Sequence, residues 1–324
     1  MRYLSGTLIK RHVTVRDLVP VVDEGLRAIA ALGSEHPLRL TFPVANRGTV
    51  LLMPAYLAPL DALAAKYVAV FPGNAARGRP TTPGLLVCAD TETGEPRAVM
   101  DGGVVTALRT GAVTTLAVDR LARPDAEGLA LIGAGVQALS IAEGILAVRP
   151  IRQVRVYARH PDHRTAFVAA LRTRLSEAGI SLPLDMAPAP TAEATVREMD
   201  IVIMATTASR PVVDPGAVAP GAHVSGVGAF RPDMQEIPPA LFARAERVVV
   251  EAREAALKEA GDLMEAARAG FLHPDDLEIL AECGRRPAGG GLTVFKSVGV
   301  AALDAAVARY LEQRLADLGL DLPT

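Results

Sequence analysis

Apolar residues recur at helical spacing near the start of the chain and then give way to short runs that are typical of strands. Over residues 14–32 they follow a 3.6-residue period, which predicts a helix. Thr14 and Asp17 are spaced as a capping pair at the start of that helix. From 38 to 100, short apolar runs alternate with Pro, Gly and Asn, which predicts a largely antiparallel meander with a hairpin at 90–94.

Strands and helices alternate in the second part of the chain. After a predicted helix over 104–122, the pattern predicts strands at 129–134, 154–158, 201–205, 223–226 and 247–251, and helices at 136–148 and 161–178. This alternation is typical of a parallel sheet with crossover helices. A glycine-rich connection near 284–291 precedes a last helix over 299–318, which we expect to pack back on the first part of the chain.

Composition limits the classes of function that fit. The 324 residues are 50% hydrophobic, enough for one large or two ordinary domains. The net charge of −2 argues against a nucleic-acid partner, and no run approaches the roughly 20 apolar residues of a membrane span. Cys88 and Cys283 form neither a disulfide framework nor a zinc motif, so we expect a cytoplasmic protein. Only 4% of the residues are aromatic and none is Trp, so the chain has few side chains on which bases or sugars could stack. We therefore expect a small ligand with charged groups.

A glycine-rich turn follows the first predicted strand of the second part. The run Gly133-Ala134-Gly135-Val136-Gln137-Ala138 is a G-x-G-x-x-A motif that opens a helix. In that context the backbone of Gly133, Gly135, Val136 and Gln137 can approach a pyrophosphate at the positive end of the helix. A glycine turn without a ligand is the alternative.

The end of the next predicted strand discriminates between dinucleotides. Where an NAD site usually has Asp or Glu, this chain has Arg159, followed by His160 and Arg164. Because an Arg can pair with a 2′-phosphate that a carboxylate would repel, NADPH is favoured, with NADH possible. The alternative is that these are solvated residues at a helix start. His160 and His163 have no further ligand nearby in sequence, so no metal site is expected.

Several blocks of the sequence carry a family resemblance. They are, in this order, LLMPAY, AAKYVAVFPGN, TGEPRAVMDGGVVTALRTGAV, LALIGAGVQA, DIVIMATTASRPVV, HVSGVGAFRPDMQEIP and VFKSVGVAALD, and the match as a whole extends from about Pro37 to the last helix. The chain thereby resembles the ornithine cyclodeaminase/mu-crystallin family. The resemblance implies an α/β homodimer with a Rossmann-type NAD(P)-binding domain over 123–298. It also implies a discontinuous α+β substrate-binding and dimerisation domain over 1–122 and 299–324.

The same resemblance assigns the substrate site. It implies that Arg109 binds the α-carboxylate of an amino or imino acid and that Arg39 and Lys66 are further substrate contacts. A bidentate Arg suits a carboxylate, and Lys66 could protonate the reacting centre if burial and neighbouring cations lower its pKa. A surface Lys or a domain-interface ion pair is the alternative for Lys66. We expect a dinucleotide on the turn after Ile132 to face these cations of the other domain.

Further cofactor contacts are expected around the nicotinamide and phosphates. Thr206 and Thr207 end a predicted parallel strand, where side chains face the ligand crevice, although a polar strand end without a ligand is the alternative. The resemblance adds Thr110, Val227, Gly228, Ser297 and Val298. For the two valines, ordinary core packing is the competing interpretation.

One position departs from the cyclodeaminase pattern. Phe230 stands where true cyclodeaminases carry an Asp that assists proton transfer, and Phe has no proton to exchange. We therefore predict an NAD(P)H-dependent reductase of cyclic imino acids, such as Δ1-pyrroline-2-carboxylate or Δ1-piperideine-2-carboxylate, giving proline or pipecolate. Ornithine cyclodeaminase, an alanine or N-alkyl-amino-acid dehydrogenase, and an NADPH-dependent ligand-binding protein of the mu-crystallin kind are the alternatives.

Overall fold

The computed structural model describes residues 1–180 and 185–319, which form two compact units. The first unit contains Met1–Arg109 and the segment that begins at Val300, and the second contains Thr110–Gly299. The sequence placed the first boundary at residue 122, whereas the units divide within a helix, because Val118 and Ala122 belong to the hydrophobic cluster of the second unit. The roles of the two units, substrate binding with dimerisation and nucleotide binding, stay predictions. The last residues of the predicted first domain, 320–324, lie outside the described residues.

The elements are numbered in chain order over the described residues. The strands are β1 (Arg2–Leu4), β2 (Leu40–Val44), β3 (Gly48–Leu57), β4 (Ala62–Val70), β5 (Gly84–Ala89), β6 (Pro96–Asp101), β7 (Gly128–Ile132), β8 (Gln153–Tyr157), β9 (Asp185–Pro188), β10 (Ile201–Met204), β11 (His223–Gly226), β12 (Ala245–Val250), β13 (Leu277–Ile279) and β14 (Leu292–Lys296). The helices are α1 (Gly6–His12), α2 (Val15–Ile29), α3 (Gly102–Leu121), α4 (Val136–Val148), α5 (Pro161–Glu177), α6 (Ala192–Val196), α7 (Pro239–Arg244), α8 (Arg253–Glu259), α9 (Gly261–Arg268) and α10 (Ala301–Asp317).

The first unit is built on a six-stranded sheet in the order β1-β6-β5-β4-β3-β2. Strands β2 to β6 form the predicted antiparallel meander. Strand β1 and helix α1 were not predicted, and β1 pairs parallel with β6 at the sheet edge. Three residues are too few to display a period in the sequence, so this strand depends on its partner for its conformation.

Two helices cover one face of this sheet. Helix α2 begins at the predicted capping pair, in which the Asp17 amide donates to Thr14 Oγ1 over 3.3 Å and Asp17 accepts from the Thr14 amide over 2.8 Å. Its apolar stripe is buried, and α10 packs against α2 and against β3, β4 and β5. The predicted return of the last helix to the first part of the chain is confirmed.

The second unit is a parallel sheet of eight strands in the order β13-β12-β14-β11-β10-β7-β8-β9. The chain adds β8 and β9 on one side of β7 and then returns to add β10, β11 and β14 on the other, as in doubly wound nucleotide-binding folds. The predicted α/β class with a Rossmann-type sheet is confirmed. Strands β9, β13 and β14 and helices α6 to α9 were not predicted; the helices are at most eight residues long, which is too short to establish a period.

A continuous hydrophobic cluster packs against strands β7 to β10 of the second unit. Leu129 and Leu131 of β7 belong to one cluster with side chains of α4 and α5 and with Ile201 and Ile203 of β10. No helix within residues 1–180 and 185–319 has the length and apolar character needed to cross a bilayer.

Candidate active site

The first unit buries an ionic cluster around one carboxylate. Lys66 lies on the helix-covered face of β4, and its Nζ is 2.5 Å from Oδ2 of Asp304 in the first turn of α10. Arg109, on α3, approaches the other oxygen, with Nε 3.2 Å from Asp304 Oδ1. The side chains of Lys66 and Asp304 are 2% and 1% exposed. The structure therefore brings two of the predicted substrate-binding cations together on a single acid.

Burial and charge shift the pKa values of this cluster. Burial lowers the pKa of Lys66 to about 8, opposed by the charge of Asp304 and helped by the nearby cations Arg109 and Arg39. Burial alone would raise the pKa of Asp304, but the charges of Lys66 and Arg109 outweigh it and lower that pKa. Lys66 thus combines a fixed position with a pKa near neutrality, as a general acid requires.

The cluster has more donors than acceptors. Lys66 Nζ donates to Asp304 and, over 3.4 Å, to Thr106 Oγ1, and no other described residue accepts its third hydrogen. Arg109 donates only through Nε, so no described residue uses the pair of terminal nitrogens. Arg39, half-buried just before β2, adds a further positive charge. An anion with two oxygens fits this excess of donors.

The glycine turn of the second unit lies between β7 and α4. Gly133 has φ of +112°, and a Cβ there would lie 2.3 Å from the carbonyl oxygen of Ala205, so only glycine fits. Gly135 caps α4 without a side chain, and nothing lies within 4 Å of a Cβ built on it. Val136 is exposed, Gln137 is half-buried and Ala138 is buried in the first turn of the helix. The turn thus presents uncovered amide groups at the start of a long helix, an arrangement that suits a phosphate.

The basic residues after β8 have different surroundings. Arg159 and His160 are exposed, and no described residue accepts a hydrogen bond from the Arg159 guanidinium. Arg164 instead stacks over Tyr157, 4.3 Å from the ring centroid, and donates to the carbonyls of Ala158 and Ala189. Arg159 is therefore available to a ligand, whereas Arg164 is mainly engaged in holding the backbone after β8.

Glu236 organises the carboxyl ends of β10 and β11. Its Oε2 accepts from the Thr206 amide over 2.9 Å and from Thr206 Oγ1 over 3.0 Å. Its Oε1 accepts from the amides of Gly228 and Ala229 over 2.6 and 3.1 Å. A Cβ on Gly228 would lie 2.0 Å from the carbonyl oxygen of Thr206, so this close approach of two loops requires glycine. Thr207 is exposed beside them.

A second buried ionic cluster lies behind these loops. Lys296 Nζ, at the end of β14, is 2.7 Å from Asp262 Oδ2 and 3.6 Å from Glu236 Oε1. Asp262 Oδ1 accepts from the amides of Glu236 and Ile237 over 2.7 and 2.9 Å. Burial and the charge of Asp262 raise the pKa of Glu236 against the influence of Lys296. This cluster therefore links the end of β14, helix α9 and the segment that contains Glu236.

Ser297 has its proton committed to a neighbour. Its hydroxyl donates to Glu251 Oε1 over 2.8 Å, and Glu251 Oε2 accepts from the Gly299 amide over 3.0 Å. Toward a ligand, Ser297 Oγ can therefore only accept, which suits an amide N–H₂. Val298 is buried and Val227 half-buried, and Val227 packs against the hydrophobic cluster of the unit.

Thr110 is buried on α3, where its carbonyl accepts from Thr114 Oγ1 over 2.8 Å. Nothing in its surroundings distinguishes a cofactor contact from a helix position.

The site predicted from the sequence did not include the acids that organise these contacts: Asp304 in the first cluster, Glu236 and Asp262 with Lys296 in the second, and Glu251 beside Ser297. One signal was available for Asp304, because it ends the VFKSVGVAALD block and is an acid in an otherwise apolar helix start. No group of His, Cys, Asp and Glu in the described part of the chain is arranged to hold a metal ion.

Comparison with known proteins places these features in context. A model of the ornithine cyclodeaminase/mu-crystallin family matches residues 4–318. A Δ1-pyrroline-2-carboxylate reductase of Bacillus cereus is 35% identical, over 99% of this chain and 98% of its own length. The structure is similar to Thermococcus litoralis Δ1-pyrroline-2-carboxylate reductase in complex with NADH and L-proline, at a TM-score of 0.93 and 29% identity with both chains fully covered. It is also similar to an archaeal alanine dehydrogenase dimer with bound NAD, at a TM-score of 0.88 and 27% identity, covering 99% of this chain and 98% of the other.

Proposed function

The chain belongs to the ornithine cyclodeaminase/mu-crystallin family, and from that premise we propose that it is an NAD(P)H-dependent reductase of cyclic imino acids. Its substrates are Δ1-pyrroline-2-carboxylate or Δ1-piperideine-2-carboxylate, which it converts to proline or pipecolate. The names of the similar reductases support this substrate class. The observation that carries the proposal is the buried cluster of Lys66, Arg109 and Asp304, whose donors exceed its acceptors.

In this proposal the arginines bind the substrate carboxylate and Lys66 protonates the imine. The terminal nitrogens of Arg109 bind the substrate carboxylate as a fork, with Arg39 adding positive charge. Lys66 hydrogen-bonds the imine nitrogen through its remaining N–H and transfers that proton to it, so that Lys66 becomes a neutral amine and the substrate an iminium, whose carbon is a better hydride acceptor. The reduced nicotinamide, when bound, supplies that hydride. Burial of Lys66 keeps water from competing for its proton.

Phe230 favours reduction over deamination. The half-buried Phe230 ring lies at 6.0 Å from the Arg231 guanidinium, and Arg231 is itself paired with Asp233 over 3.0 Å. The neighbouring carboxylate is thus engaged with Arg231 and does not substitute for an acid at position 230. A preformed imine needs only a proton and a hydride, so the absence of an acid at this position does not impede its reduction.

The experiment that tests the activity is a spectrophotometric panel. NADPH and NADH consumption is recorded with the five-membered imine, the six-membered imine, pyruvate plus ammonia or methylamine, and ornithine. We expect oxidation of the reduced cofactor with one or both cyclic imines and none that depends on ammonia or amine. Release of ammonia from ornithine with no turnover of either imine would overturn the proposal in favour of cyclodeamination. Turnover that requires ammonia or methylamine would indicate an amino-acid dehydrogenase.

For the cofactor we propose a nicotinamide dinucleotide with NADPH preferred. The amides after Gly133 and Gly135 hold the pyrophosphate at the start of α4, and Thr206 and Ser297 contact the nicotinamide end. The preference rests on Arg159, whose exposed guanidinium is free to pair with a 2′-phosphate. Arg159→Asp is expected to weaken NADPH binding by about one to two tenfold steps, measured by fluorescence titration. Arg172→Asp is the control, and equal NADPH affinity in Arg159→Asp and the unmodified protein would remove this preference.

We also propose that the chain forms a homodimer through the open face of its first sheet. Leu40, Leu52, Tyr67 and Leu85 are mutually paired across β2, β3, β4 and β5, and each is between 37% and 60% exposed. A continuous apolar row of this kind marks an association surface, and a second copy offers a self-complementary partner. Light scattering of Leu52→Asp is expected to give half the mass of the unmodified protein. The control Leu32→Asp changes an exposed leucine outside the row, and equal masses for both variants would contradict this interface.

A further inference from the structure

Asp304 occupies the centre of the cation cluster and divides its two oxygens between two elements. Oδ2 lies 2.5 Å from Nζ of Lys66 on β4, and Oδ1 lies 3.2 Å from Nε of Arg109 on α3. Within the described residues these two cations are the partners of the carboxylate. One acid on α10 therefore sets the separation and orientation of two groups that the fold delivers from different elements.

We propose that Asp304 is the positioning residue of the substrate site, aiming Lys66 at the imine nitrogen and Arg109 at the carboxylate of the same substrate molecule. This inference rests on the function proposed above and assigns the residue that makes its two cations act together.

The orientation of Arg109 follows from which nitrogen it uses. A guanidinium has five N–H donors in a rigid plane, and binding Asp304 through Nε alone leaves the two terminal nitrogens unused by this carboxylate. Those nitrogens form the fork that matches a carboxylate. Without Asp304, Arg109 would be free to rotate, and its fork would no longer be held in one direction.

The charge of Asp304 acts on Lys66 in the opposite sense to burial. Burial, Arg109 and Arg39 all lower the pKa of Lys66, and the negative charge and hydrogen bond of Asp304 raise it, leaving it at about 8. With a pKa of about 8, Lys66 remains mostly protonated at neutral pH and can donate. Replacing Asp304 by a neutral residue therefore moves the loss of activity to lower pH.

A purely structural role for Asp304 makes a different prediction. An acid in the first turn of α10 also interacts favourably with the positive end of the helix, which would contribute to stability alone. That role would change the midpoint of unfolding but would leave the pH dependence of turnover where it is.

The test compares Asp304→Asn with Asp317→Asn, an exposed acid near the other end of the same helix. Turnover of the cyclic imine is measured from pH 6 to 9.5, with NADPH binding followed by fluorescence to show that each variant is folded. In the unmodified protein and in Asp317→Asn, turnover is expected to fall as pH rises through about 8, the pKa of Lys66. In Asp304→Asn, we expect that fall at least about one pH unit lower and a KM roughly tenfold higher.

A midpoint that does not move in Asp304→Asn would overturn the proposal, since the ionisation of the substrate itself is the same for every variant. If Asp304→Asn does not fold, Asp304→Glu decides, because it keeps the charge and displaces the carboxylate. It is expected to keep the midpoint near 8 and to raise KM, and an unchanged KM would count against the positioning role. Absence of imine turnover in the unmodified protein would instead refute the proposed function itself.

Discussion

Each unit of the molecule buries a cluster of ionised side chains, and the two clusters differ in the ratio of cations to carboxylates. In the first unit, the single carboxylate of Asp304 faces Lys66 and Arg109, with Arg39 adding charge nearby. In the second, the two carboxylates of Glu236 and Asp262 face the single cation Lys296, and five main-chain amides and the Thr206 hydroxyl donate to three of their four oxygens.

This difference separates a ligand site from a scaffold. Buried charges cost free energy unless they are compensated, so a cluster in which two cations share one carboxylate is suited to a further anion from outside the chain. A cluster whose acceptors are filled by backbone amides fixes loops in place. In this chain, the first arrangement suits substrate binding and the second holds the carboxyl ends of β10, β11 and β14.

The largest effect that tests this contrast is the loss of the proton donor in the first cluster. Lys66→Met is expected to lower kcat for the cyclic imine by about 10²- to 10⁴-fold, the usual contribution of a general acid, while NADPH affinity stays nearly unchanged. Stopped-flow absorbance and a fluorescence titration measure the two quantities. Lys258→Met, in an exposed ion pair with Glu254, is the matched control. Full turnover by Lys66→Met would show that the role assigned to Lys66 is wrong.

The second cluster is expected to respond in stability. Lys296→Met leaves Glu236 and Asp262 without their cation and should lower the free energy of unfolding by about 3–5 kcal/mol. Urea denaturation measures this change. Lys66→Met should cost less, because Arg109 still pairs with Asp304. Equal losses of unfolding free energy in Lys66→Met and Lys296→Met would contradict the assignment of a mainly structural role to the second cluster alone.

The smallest effect concerns the fork of Arg109. Arg109→Lys keeps a positive charge beside Asp304 but loses the planar pair of terminal nitrogens, so KM for the imino acid should rise about tenfold with little change in unfolding. Steady-state kinetics provide the readout, with Arg27→Lys on the exposed side of α2 as the control. A KM equal to that of the unmodified protein would mean that Arg109 does not bind the carboxylate as a fork.

The candidate site was predictable where its parts are contiguous in the chain. The G-x-G-x-x-A run begins directly after β7 and continues into the first turn of α4, and the positive φ of Gly133 lies in the turn that the motif predicts. Lys66 and Arg109 lie in blocks of the sequence that resemble the family, and Arg39 lies in the Pro-Leu-Arg run that precedes them. Phe230 and Arg159 are single positions within recognisable segments, so the sequence alone indicates their chemistry.

The sequence by itself determined the alternation of strands and helices, the glycine turn and the residue types of the cations, because periodicity, turn chemistry and motif spacing are local properties. Only the tertiary structure decided which acids organise them. Asp304 reaches Lys66 across 238 positions of sequence and Arg109 across 195, and Lys296 reaches Asp262 from another strand end. An ion pair between distant segments leaves no period in the chain, since it arises from how the strands and helices pack and not from the order of neighbouring residues.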